Sequence, residues 1–430
     1  TSRSRRLTYV MSMTQTSLFS APDTGAYKWL PERRAGLQRI SEFVPNAGRH
    51  YASQRNTDPG ENKRNHVSLL SPWLRYRLVS ETELLTSVLA RHTYQASEKF
   101  IQEVFWRGYF KGWLAHRPDV WQRYRVGVTG CIKHLDNDSG LKRDYEMAVS
   151  GNTGIDCFDY WANELVATGY LHNHARMWFA SIWIFTLKLP WELGADFFFR
   201  HLIDGDPASN TCSWRWVAGL HTVGKTYLAR ADNIERFTNG RFNPAGQLSP
   251  IAPPLPAEAL SITPLPAAKP VTCPEEPYGL LITEEHCAPA TLRLAAAPAT
   301  ILGLTSPTQR SLLPLGEHVS DFTTQAVKNA VQTGSDAFGL KGETSDNEDW
   351  AAALCDWCLA HKLKTVLVVR PAIGPVLRRL DAAEAAAKQN DITFIYLDIA
   401  YDQMVWPKAQ RGFFGLKKKI PEILQQLGLI

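Results

Sequence analysis

Two acids flank a single glycine in Asp204-Gly205-Asp206, followed by an amide, Asn210, and two indoles, Trp214 and Trp216. Taken alone, such a pair serves a metal or a surface turn equally well. Upstream, Ser68-Leu69-Leu70-Ser71 sets two hydroxyls at the start of a helix, where free backbone N–H groups accept anionic oxygens. An N-cap and turn would use the same spacing. Cys355 and Cys358 form a CxxC on an expected helix in an apolar stretch. With no second pair close by, buried structural thiols fit better than a zinc or iron–sulfur site with Cys273 and Cys287, and no metal is expected. The run Lys408–Lys419 (KAQRGFFGLKKK) is basic, with two phenylalanines. A solvated helix end accounts for it; DNA or a membrane are the other readings.

The chain has 430 residues, enough for two or three domains. Residues 1–250 carry 31 Lys+Arg against 23 Asp+Glu and 11 of the 14 tryptophans; the remainder carries 16 against 19. A basic, tryptophan-dense half suits a flat aromatic ligand, a polyanion or both, although a helical core with buried indoles has the same composition. No run of about 18 apolar residues occurs, so a membrane span is not expected. Seven cysteines without framework spacing read as a reducing, cytoplasmic compartment. The basic start Thr1–Arg6 lacks the apolar core of a signal peptide.

Ten prolines fall between Pro244 and Pro277, a stretch that forms neither helix nor central strand. The expected division is an extension over 1–30, a helical domain over 31–245, a Pro-rich linker over 246–277 and an α/β domain over 278–430. Apolar periodicity predicts helices over Pro31–Val44, from Ser80, and over Ala96–Ala115, Asp156–Thr168, His174–Leu187 and Pro190–Leu202. Beyond the linker, Gly279–Ile282, Ile301–Leu304, Thr365–Val369 and Ile392–Leu397 are short strand-like runs. The helical stretches Asp321–Val331, Asn347–His361 and Ala372–Lys388 separate several of them, implying a Rossmann-like, mostly parallel sheet. That domain has no GxGxxG or Walker loop.

Five blocks stand in a familiar order: SLLSPWL at 68–74, FIQEVFWRGYF at 100–110, the GNTGIDCFDYWANELVATGY and LHNHARMW stretches, and IDGDPASNTCSWRW. Over residues 31–245 they resemble the helical FAD-binding domain of the photolyase/cryptochrome family. The resemblance implies FAD held by Tyr51, Ser68, Leu70, Ser71, Phe100, Arg107, Asn173, Arg176, Asp204, Asp206 and Asn210. Arg176 would pair with Asp204 beside the ring, and Asn210 would face the flavin N5. Trp214 and Trp191 match the proximal and middle members of the family's electron-relay tryptophans. The third position falls near Asp138, which leaves Trp183, Trp161 or Tyr145 as the relay's end.

Glu103, Trp106, Asn173, Met177 and Trp216 match the flipped-dimer pocket of cyclobutane pyrimidine dimer photolyases, and His174 stands where an arginine is frequent. Leu69 and Gly108 replace an arginine and an acid of the usual pattern. Family members usually begin with an α/β antenna domain; only about 30 residues precede the helical domain here, too few for it. The α/β domain over 278–430 is then the candidate for a rearranged antenna-like domain, but it has no pterin or deazaflavin signature and an antenna chromophore is not expected. The resemblance implies a monomeric, cytoplasmic enzyme that repairs ultraviolet-damaged DNA by light-driven electron transfer. A cryptochrome-like photoreceptor that binds FAD without repair is the alternative, and a light-independent DNA-binding flavoprotein is a third.

Overall fold

The computed structural model describes residues 29–266, 274 and 276–430. Most of the expected N-terminal extension, part of the linker and Cys273 lie outside the described residues.

Twelve α-helices lie between Arg33 and Phe237 among the described residues. Each expected helix is present, Asp156–Thr168 with the expected ends and the others with at least one end shifted. The first is Arg33–Phe43, with Ile40 and Phe43 buried. Ser80 starts Glu81–Arg91 through a capping box: its Oγ accepts from the Glu83 N–H at 3.1 Å, and the Glu83 carboxylate accepts from the Ser80 N–H at 2.9 Å. The central helix Tyr94–Ala115 buries twelve of its 22 residues, because other elements cover it on most sides. The helix expected over His174–Leu187 instead runs Asn173–Ser181 and then widens into a π-turn, Ile182–Thr186. A second π-segment, Pro207–Cys212, follows Asp206. Such widened turns recur at functional sites.

Five strands form one parallel sheet: β1 (Tyr278–Ile282), β2 (Thr300–Leu304), β3 (Gly342–Ser345), β4 (Thr365–Val369) and β5 (Thr393–Leu397), in the order β3-β2-β1-β4-β5. The helices Glu317–Phe338, Trp350–Ala360 and Pro375–Lys388 connect them. Strand β3 is an addition to the sequence reading; its Gly-Glu-Thr-Ser is an edge strand with no apolar residue to reveal it. A smaller α/β domain thus follows a mostly helical one.

Residues 246–266 carry no helix or strand and run over the helical domain, with the Leu255 N–H donating to Ala218 O at 3.1 Å and the Thr263 N–H to His116 O at 2.8 Å. The two domains meet through buried charge. Glu284 and Glu285, just beyond β1, receive Arg75 at 3.1 and 3.0 Å. Arg310 bonds both Tyr76 Oη and Glu284 at 2.9 Å. Arg77 reaches Asp402 with two bonds, of 2.8 and 2.6 Å. Removing one partner of such a buried pair costs about 3–5 kcal/mol, so these contacts fix how the domains dock.

Two glycines on the central helix admit the chain's last segment. A Cβ at Gly108 would lie 3.0 Å from the Tyr401 ring and 3.1 Å from Val405. One at Gly112 would lie 2.7 Å from the Trp406 Cα. The helix Ala400–Val405 and the turn Trp406–Lys408 therefore pack directly on the backbone of the helix that carries Glu103, Trp106 and Arg107.

Candidate functional site

A cavity of about 780 Å³ opens in the helical domain. Fifteen of the eighteen site residues expected from the sequence line it: Tyr51, Ser68, Ser71, Phe100, Glu103, Trp106, Arg107, Asn173, His174, Arg176, Met177, Asp204, Asn210, Trp214 and Trp216. Leu70, Asp206 and Trp191 do not. The lining comes from many elements between Tyr51 and Phe414, which bring residues from distant parts of the sequence together.

Ser68 and Ser71 flank a sharp bend. Leu69 between them has φ +55°, a left-handed conformation costly for a branched side chain, and its carbonyl accepts from Trp29 Nε1 at 3.1 Å. Ser71 then begins the short helix Ser71–Arg75. Beside them is Arg107, whose Nε and Nη2 are buried without a hydrogen bond. Its ion-pair partners are distant, Glu81 at 3.7 Å and Asp206 at 3.9 Å. Those two nitrogens face the carboxylates behind the wall, while Arg107 as a whole joins Ser68 and Ser71 in the cavity lining, a positive charge and two hydroxyls that suit an anion.

Asp206 plays a different part from the one expected. Its Oδ1 accepts from the backbone N–H groups of Ala208 and Ser209 at 2.9 and 2.8 Å, capping the π-segment that carries Asn210. Burial alone would raise its carboxyl pKa, but Lys111, Arg107 and Arg75 together hold it well below the usual range. It is a charged hub behind the wall. Asp204, by contrast, reaches the cavity, and Arg176 grips it with two bonds of 3.1 and 2.9 Å.

On the other side Arg55, four residues beyond Tyr51, is ion-paired with Glu103. Glu103 sits deep in the fold, yet 33% of its side chain is open, facing this cavity. Burial pushes its carboxyl upward against the opposing pull of Arg55. His174 stacks on Trp178 with ring centroids 4.2 Å apart, and its Nδ1 meets Asn56 O at 2.9 Å. Trp106 is stacked face to face on Phe413, with centroids 3.7 Å apart and planes 13° from parallel.

Sequence reasoning missed Arg55, Tyr170, His172 and Phe414 in the lining. His172 is buried; its Nδ1 accepts from the His174 N–H at 3.2 Å, while its Nε2 has no partner. Burial lowers its pKa to about 3, so the imidazole is neutral. Its place beside Asn173 was the available signal. Phe414 lay in the basic C-terminal run.

The two indoles matched to the relay, Trp214 and Trp191, have different ring neighbours. Trp214 lies at the cavity wall, and its neighbouring indole is Trp183, at 6.2 Å and perpendicular. Trp183 in turn meets Tyr145 at 6.1 Å. Trp191 has its ring contact with Tyr124, at 5.9 Å. Gly194 makes the Trp214–Trp183 meeting possible, since a Cβ there would collide with the Trp214 six-membered ring and stand 2.9 Å from Trp183 Cε2.

Residues 100–248 match the family model described as the FAD binding domain of DNA photolyase. The helical domain is of the photolyase/cryptochrome superfamily. The deoxyribodipyrimidine photo-lyase of Streptomyces griseus is 35% identical over 181 residues, 39% of this chain and 38% of that protein. That of Agrobacterium fabrum is 29% identical over 194 residues, 44% of this chain and 39% of that protein. A crystal structure of a bacterial class III photolyase from Agrobacterium tumefaciens is 26% identical, covering 49% of this chain and 43% of that one, with a TM-score of 0.41. The chain spans about two-fifths of the length of the curated relatives it matches. No described helix is long and apolar enough to cross a membrane.

Proposed function

We propose that this protein is a FAD-dependent photolyase that repairs cyclobutane pyrimidine dimers in DNA, acting as a cytoplasmic monomer. The observation that carries the reading is convergence. One cavity holds both an anion-ready set, Ser68, Ser71 and Arg107, and a dimer-pocket set, Glu103, Trp106, Asn173, Met177 and Trp216. A volume of about 780 Å³ suits a large ligand, and an arginine with two serines in one lining suits a pyrophosphate.

Ser68, Ser71 and Arg107 would hold the FAD phosphates, and Arg176 with Asp204 and Asn210 would face the ring. Bound and reduced, FAD would supply under light the electron that opens the cyclobutane ring, and would take it back once the ring has split. The chain's own residues orient the partners. Arg176, held in a two-bond grip, adds positive charge near the ring while Asp204 fixes its plane. Glu103, with its pKa raised by burial, is placed to hydrogen-bond an extruded pyrimidine edge, and Trp106 and Trp216 offer flat apolar walls. Trp214 and its neighbour Trp183 give an aromatic path from the cavity into the core.

A photoreceptor without repair activity is favoured by one observation: Glu103 is tied to Arg55 and a face of Trp106 is covered by Phe413. The purified holoprotein, titrated with dimer-containing and undamaged duplexes, tests the choice. The proposal expects at least tenfold tighter binding to the damaged duplex; equal affinity would exclude repair.

A further inference from the structure

Of the large apolar side chains exposed among the described residues, only Phe414 is aromatic, and it is 75% open to solvent. It nevertheless lines the mouth of the cavity. Its position is fixed by neighbours. Phe413 and Leu416, on the other face of the short helix Phe413–Lys417, are buried, and Phe413 is clamped on Trp106. Trp406 and Ala409 just before it sit against the Gly112 backbone, and Lys417 reaches Glu98 on the same central helix at 3.7 Å. A rigidly seated chain segment thus presents one exposed ring beside the site.

The charged side chains of the segment Lys408–Lys419 are all basic. Arg411, Lys418 and Lys419 are exposed on the same segment, and Lys418 lies four residues from Phe414, on its face of the helix. An aromatic ring flanked by cations suits an unstacked, polyanionic partner. We propose that Phe414 is a wedge for duplex DNA: it enters the base stack where a pyrimidine dimer is withdrawn toward the cavity, while Arg411, Lys418 and Lys419 hold the flanking phosphates. This rests on the reading of the cavity as a dimer-repair site. It assigns to the α/β domain's C-terminal segment a direct part in binding the substrate.

The test uses the FAD-loaded full chain, as wild type, Phe414→Ala and the double variant Lys418→Ala/Lys419→Ala. Each is titrated with dimer-containing and undamaged duplexes over a salt series, with 2-aminopurine opposite the dimer reporting unstacking. For Phe414→Ala the expected loss on damaged duplex is roughly 5- to 100-fold, the worth of one stacked base, with the 2-aminopurine signal reduced and undamaged binding unchanged. For the double lysine variant, the slope of log affinity against log salt should fall by about 2. Wild-type discrimination that survives Phe414→Ala unaltered overturns the wedge alone. A wild type that does not discriminate overturns the dimer-repair reading and the wedge with it. Segment-dependent capture of anionic phosphatidylserine vesicles without DNA binding overturns the wedge in favour of a membrane contact.

Discussion

A single methyl group at position 194 should couple core packing to cofactor binding. Gly194 lies in the helix Trp191–His201, where alanine would gain about 1 kcal/mol of helix propensity. The added Cβ would collide with the Trp214 Cη2 and Cζ3 atoms and stand 2.9 Å from Trp183 Cε2. Trp214 is 3% exposed and hemmed by Phe198 at 5.0 Å and Trp183 at 6.2 Å. Its open direction is the cavity it lines. Overpacking of this kind costs about 1–3 kcal/mol, so the net effect of Gly194→Ala should be a loss of up to about 2 kcal/mol in urea denaturation. FAD affinity, read by flavin fluorescence, should fall further than stability does, because the displaced indole enters the cofactor's space. A double-mutant cycle isolates the cause. In a Trp214→Phe background the smaller ring leaves room, and the Gly194→Ala penalty should shrink by at least about 1 kcal/mol. An alanine variant with unchanged stability and FAD affinity, or a penalty that persists in full beside Phe at 214, would refute the reasoning.

Further outcomes follow from the same contacts. Trp214→Phe should slow flavin photoreduction at least tenfold by transient absorption, and Trp183→Phe should slow it more than Trp191→Phe, because Trp183 is the indole beside Trp214; the reverse order would restore the relay that the family resemblance implies. Glu103→Ala should lower dimer-repair yield while FAD stays bound, and an equal yield would remove Glu103 from the chemistry. Burial lowers the pKa of His172 to about 3 and those of His201, His221 and His286 to about 4. Unfolding frees each to bind a proton, so their stabilisation is complete above about pH 6.5 and is lost as pH falls toward 4. Glu164, raised to about 7 by burial, opposes one of the four. Stability should therefore drop by roughly 3–4 kcal/mol per pH unit between pH 6 and 5 in urea titrations, and a flat profile would contradict the burial of these rings. Asp402→Asn should destabilise the docked α/β domain by about 1–3 kcal/mol, because Arg77 loses its two-bond partner but keeps Glu81 at 3.3 Å, an effect visible as an early denaturation phase.

The sequence was most informative where side-chain chemistry is dense and local. The blocks around SLLS, FIQEVFWRGYF, HNHARM and IDGD held most of the site residues expected from the sequence, and nearly all of those line one cavity. The helical-then-α/β order was readable because helical apolar spacing gives way, across the proline run, to short continuous β-branched runs. What was not readable depends on partners far away in the chain. Gly108 reads as the loss of an acid, but its meaning lies in Tyr401 and Val405, nearly 300 positions on. Asp206 reads as a twin of Asp204; only the backbone of Ala208 and Ser209 shows it to be a cap. The family resemblance matched Trp191 to the relay position after Trp214; the indole in ring contact with Trp214 is Trp183, on the π-turn Ile182–Thr186, which the pattern alone did not show. Strand β3 has no apolar side chain, so nothing in its composition distinguishes it from a turn.

The most direct test of the central claim is turnover of a cyclobutane-dimer oligonucleotide by the purified, pre-reduced protein under blue light, with a dark control. Several dimers repaired per protein molecule in the light and none in the dark are expected. A protein that binds FAD yet leaves the dimer intact under the same light would contradict repair and point to signalling.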